Sequence, residues 1–174
     1  CIPVTEPLFE TSQSAVDPEG RYIAYSGVTY DRFYVRSHGI YLYEIGTGTT
    51  KTLLAPGSFQ IMGLGFLNGR LVVAAAPWNG EGAFPNHDLY TLALTGGRME
   101  PVHFHREEDF GCKTCGDCKS GKMRTFQSQG GTLYYITTKG TGASINRWAP
   151  GELFQRLSGP DFLPDSLAVS GEVV

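Results

Sequence analysis

The segment SAVDPEGRYIAYSG, Ser14 to Gly27, sets out a unit from which the rest of the chain can be read. Ser14 to Val16 reads as a short strand. Asp17-Pro18-Glu19-Gly20 follows as a turn, with Pro18 presetting φ at the second position and Gly20 supplying a permissive backbone at the end. Arg21 to Ser26 is then an apolar strand. Further out, GIYLYEI (Gly39 to Ile45) is a third strand, GTGT (Gly46 to Thr49) a turn, and Lys51 to Leu54 a fourth strand. The unit is strand, tight turn, strand, longer loop, strand, tight turn, strand.

The unit recurs. IMGLGFL (Ile61 to Leu67) runs into Asn68-Gly69, a strong hairpin signal, and RLVVAAA (Arg70 to Ala76) follows. After the loop Pro77 to His87 come DLYTLAL (Asp88 to Leu94), the turn Thr95-Gly96-Gly97, and RMEPVHF (Arg98 to Phe104). A third copy runs from TFQSQ through Gly130-Gly131, TLYYITT (Thr132 to Thr138), ASINRWA (Ala143 to Ala149), Pro150-Gly151 and ELFQRL (Glu152 to Leu157). DSLAV (Asp165 to Val169), Ser170-Gly171 and Glu172 to Val174 open a fourth. A four-stranded repeat of roughly 40 to 50 residues is the mark of a β-propeller blade. The fold expected is therefore all-β: a partial β-propeller of about three four-stranded antiparallel blades plus the start of a fourth. The blades are placed at about 13–55, 58–104 and 123–158, with the start of the fourth at 162–174 and an insertion at 105–122. A β-sandwich with coincidental regularity is the competing reading; the parallel between Ile40-Tyr41-Leu42-Tyr43 and Asp88-Leu89-Tyr90-Thr91-Leu92 favours repetition.

Composition narrows the functional classes. The net charge is −3 and no Lys/Arg run occurs, which argues against nucleic acid as a partner. No apolar run approaches the roughly 20 residues of a membrane helix. CIPVTEPLFE lacks the basic and apolar segments of a signal peptide, and no N-x-S/T site appears, so a cytoplasmic protein is expected. The start at Cys1 and the stop at Val174, inside an expected strand, read as those of a fragment. Open blade edges predict its self-association, which a strictly monomeric state in solution would contradict.

AVDPEGRYIAYS, GIYLYEIGTGTTKTLL, GLGFLNGRLVVAAA and GDCKSGKMRTFQSQGGTLYYITTKG together resemble the amino-terminal propeller of prolyl oligopeptidase-type serine peptidases, the acylaminoacyl-peptidase and dipeptidyl-peptidase relatives. The last of these looks like an inter-blade segment of bacterial members. The resemblance covers most of the chain. It implies a parent serine peptidase in which the propeller caps a carboxy-terminal α/β-hydrolase domain and restricts access to short peptides or acyl-peptides. That catalytic domain is absent from this sequence. No GxSxG elbow occurs; Gly142-Ala143-Ser144-Ile145-Asn146 lacks the last glycine and sits in an expected strand. His38, His87, His103 and His105 form no Ser-His-Asp pattern. No catalytic residue is assigned, and the chain itself is expected to be inactive. The alternative is a TolB-like propeller that serves as a protein- or ligand-binding scaffold.

The remaining chemistry lies in EDFGCKTCGDCKSGKM (Glu108 to Met123). Cys112, Cys115 and Cys118 stand at CxxCxxC spacing. A structural zinc site needs four ligands, usually as two separated pairs. His103 and His105, two apart and so on one side of a strand, are available to complete one. A disulfide and an unliganded loop are the other readings. In dipeptidyl-peptidase relatives a propeller Glu pair binds the substrate amine; Glu107-Glu108 is read beside that as a solvated acidic loop. GTGTTK and GLGFLNG precede no helix and are turns, not phosphate loops. Trp78 and Trp148 are expected in inter-blade packing.

Overall fold

The computed structural model describes residues 10–30, 36–57, 59–77, 88–103, 109–110, 126–139 and 142–158. Among them there is no helix. The strands are β1 (Glu10–Val16), β2 (Tyr22–Tyr30), β3 (Arg36–Glu44), β4 (Thr49–Gly57), β5 (Phe59–Leu67), β6 (Arg70–Pro77), β7 (Asp88–Ala93), β8 (Glu100–His103), β9 (Asp109–Phe110), β10 (Phe126–Gln129), β11 (Thr132–Lys139), β12 (Gly142–Trp148) and β13 (Gln155–Arg156). They form three antiparallel sheets, β1-β2-β3-β4, β5-β6-β7-β8 and β10-β11-β12-β13. Along each of these orders neighbours are neighbours in sequence, with β9 added to the third sheet beside β11, and the three are blades of a partial β-propeller. The expected start of a fourth blade at 162–174 lies outside the described residues.

Local chemistry sets the hairpins. Asn68 (φ 49°) and Gly69 (φ 72°) both occupy the left-handed region between the paired residues Leu67 and Arg70. That is the two-residue turn whose twist matches the flanking strands, and Gly130-Gly131 repeats it in the third blade. In the first blade the Asp17 N–H donates to Tyr22 O (2.9 Å) and the Gly20 N–H to Asp17 O (2.8 Å).

Packing between blades explains the apolar run of β6. Leu71, Val73 and Ala75 pack with Ala24, Ile40 and Leu42 of the first blade. Val72 and Ala74, on the opposite face, pack with Leu133, Tyr135 and Trp148 of the third. A sheet covered on both sides buries every residue from Leu71 to Ala76, so its sequence shows no alternation. Each such Leu or Val stabilises the fold by about 1.5–3 kcal/mol. The inner strands sit together, β1 against β5 and β5 against β10. Two polar contacts also cross from blade to blade. The Gly97 N–H, in the β7–β8 turn, donates to Leu53 O of β4 (3.1 Å). The Ile61 N–H of β5 donates to Nδ1 of the buried His38 in β3 (3.4 Å).

The third blade departs from its expected outline at both edges. Its outer strand, expected over Glu152 to Leu157, narrows to Gln155–Arg156. Ahead of it Phe154 turns inward and stacks on Trp148, with ring centroids 5.7 Å apart. Its inner strand is split. Asp109 and Phe110, within the span read as an insertion, pair with Thr138 and Thr137 of β11. Phe126 to Gln129 pair with Tyr135 to Thr132 on the same edge. Strands β9 and β10 are thus two pieces of one inner strand, and only Ile136 of β11 separates their registers.

Candidate functional site

The strand order fixes which side chains can meet. Strands β1, β5 and β10 each run into a tight turn, and those three turns come together at one end of the array. They surround an open cleft of about 380 Å³ lined by Asp17, Glu19, Arg21, Asn68, Ser128 and Gln129, among others. The Asp17 side chain is only 8% exposed, a position that a carboxylate tolerates when charged donors meet it. Its Oδ2 accepts from the Arg21 backbone N–H (3.3 Å) and from Arg21 Nε (3.1 Å). The same guanidinium reaches Glu19 Oε2 at 3.1 Å and lies over the Tyr22 ring, 5.6 Å from its centroid. The hydrogen bond to Asp17 is the main cause that holds the Arg21 pKa above its ordinary value; Glu19 adds to it. Asn68 leans toward the third blade, where a methyl group on Gly131 would lie 3.2 Å from its Oδ1. Among the described residues that line it there is no histidine or cysteine beside the Ser128 hydroxyl. This arrangement can hold polar groups by hydrogen bonds.

The residues singled out from sequence distribute differently. Cys112, Cys115 and Cys118 lie outside the described residues, as do His87, His105, Glu107, Glu108 and Trp78. His103 ends β8, paired with Leu89. His38 is buried between the first two blades, far in role from any triad. Ser144 and Asn146 of the elbow look-alike are buried in β12. Asn146 Nδ2 donates to Thr137 Oγ1 (2.9 Å) and to Ser144 O (3.2 Å). Trp148 packs between blades, as expected. Among the described residues no group of three or more His, Cys, Asp or Glu is placed to hold a metal ion. Among the described residues there is thus no helix long and apolar enough to cross a membrane.

No family model matches the sequence, and no curated protein matches it. Solved structures do. The chain is similar to a structure from work on two prolyl endopeptidases and the role of inter-domain dynamics in their catalysis and specificity (TM-score 0.59, 13% identity). It is similar to the β-propeller domain of the Trilobed protease from Pyrococcus furiosus, which has an open velcro topology (TM-score 0.57, 12% identity). It is also similar to Pyrococcus horikoshii acylaminoacyl peptidase (TM-score 0.56, 13% identity). Each match covers 89% of this chain, but the chain spans only 20%, 43% and 21% of those three in turn. At such identities the likeness is one of fold: a propeller of the kind found in these peptidases.

Proposed function

We propose that the chain is a run of blades from the propeller of a prolyl oligopeptidase-type serine peptidase. There it caps an α/β-hydrolase domain and restricts access to short peptides or acyl-peptides. The observation that carries this reading is the arrangement of the blades. Each is built from one continuous stretch of chain, the inner strands lie side by side, and the tight inner turns share one end. Because successive strands alternate in direction, β1 begins at the opposite end of its blade, and β13 runs toward that end. The ends of β2 and β6 and the starts of β3 and β7 fall there too. A catalytic domain seated against that end would lie beside those strand ends, where side chains on loops can line the way to its active site. The solved propellers similar in fold come from peptidases, which supports the same reading. The hydrolytic chemistry is assigned to the partner domain, not to the blades.

The decisive test is the reading frame beyond Val174 and the protein it encodes. An α/β-hydrolase domain with a GxSxG elbow is expected, in a protein that cleaves short acyl-peptides and spares folded proteins. A frame that ends after further blades, with no such domain, overturns the proposal and favours a TolB-like binding scaffold. The zinc reading of Cys112, Cys115 and Cys118 rests on their spacing alone. One zinc per chain in protein purified without chelator would support it, and its absence would remove it.

A further inference from the structure

We draw no further inference here: the strongest candidate, the cleft of about 380 Å³ where the three inner hairpin turns meet, carries nothing because its two carboxylates, Asp17 and Glu19, are already held by Arg21 and no second feature of its lining selects a ligand.

Discussion

Replacing Gly96 with alanine tests how the first two blades are joined. Gly96 sits in the β7–β8 turn with φ +86°, its N–H donating to Ala93 O at 2.9 Å. A Cβ there would lie 3.0 Å from Leu53 O and 3.3 Å from Leu53 Cα, both main-chain atoms of β4. Two costs follow. The left-handed backbone costs a residue with a Cβ about 1–2 kcal/mol. Forcing a methyl group into a filled space costs about 1–3 kcal/mol more, because no side-chain rotation can move the obstructing atoms away. A stiffer unfolded chain returns about 0.4–1 kcal/mol. The net expectation is a loss of about 2–4 kcal/mol, with the neighbouring Gly97–Leu53 hydrogen bond the first contact to stretch. Gly48→Ala is the control. It occupies the corresponding turn of the first blade at φ +68°, and its nearest neighbour is the Tyr43 hydroxyl at 3.8 Å. Strain alone should cost it about 1 kcal/mol. Urea unfolding followed by far-UV circular dichroism measures both midpoints, and equal slopes allow direct comparison. If the two variants shift the midpoint equally, the close approach of Gly96 to β4 is wrong.

Three further outcomes are expected. Phe110 and Phe126 pair with Thr137 and Tyr135 of β11, a single residue of register apart, so replacing residues 111–125 with one residue should preserve cooperative unfolding. The shorter loop should raise stability by about 2 kcal/mol; a loss of the cooperative transition would show that β9 and β10 are not one strand. Asn146→Ala removes buried donors to Thr137 Oγ1 and Ser144 O, and should lower stability by about 1–3 kcal/mol in the same urea assay; no change would mean that this network does not hold β11 and β12 together. Burial, with Tyr25 adding to it, raises the pKa of Tyr41, and burial with Asp88 raises that of Tyr90. For both, the unfolded chain loses its proton first, so stability should be fully present below about pH 10 and fall as pH rises through the folded pKa values. In unfolding titrations across that range, Tyr41→Phe and Tyr90→Phe should each flatten the decline, and an unchanged slope would refute the assignment.

Much of the fold was legible because turn chemistry is local. Asn68-Gly69 and Gly130-Gly131 announce their backbone conformation from residue type alone, and the tetrapeptide Asp17 to Gly20 does nearly so. Once those turns are placed, strand order follows. Which blade face meets which neighbour was less legible. The run from Leu71 to Ala76 is apolar throughout, and only the presence of sheets on both sides explains it. The cleft between the three inner turns was not legible at all. Its residues appear in the sequence as three unrelated turns, and what joins them is the spacing of blades, which no single turn encodes. The same holds for His38, whose partner Ile61 belongs to another repeat.

The split inner strand of the third blade shows where repeat reasoning reaches its limit. Asp109 and Phe110 are too short a stretch to register as a strand, and the cysteine-bearing sequence after them draws attention as a unit in its own right. Yet a strand can be cut wherever its neighbour keeps the two pieces in line. Here β11 does so, pairing Thr137 and Thr138 with β9 and Thr132 to Tyr135 with β10. The ladder bonds on either side of Ile136 then carry the register that chain continuity normally carries. The register of the blade therefore rests on pairs that lie on either side of the cysteine-bearing segment. A metal assay tests the spacing of Cys112, Cys115 and Cys118, whereas an unfolding assay tests the pairs that hold β9 and β10 to β11.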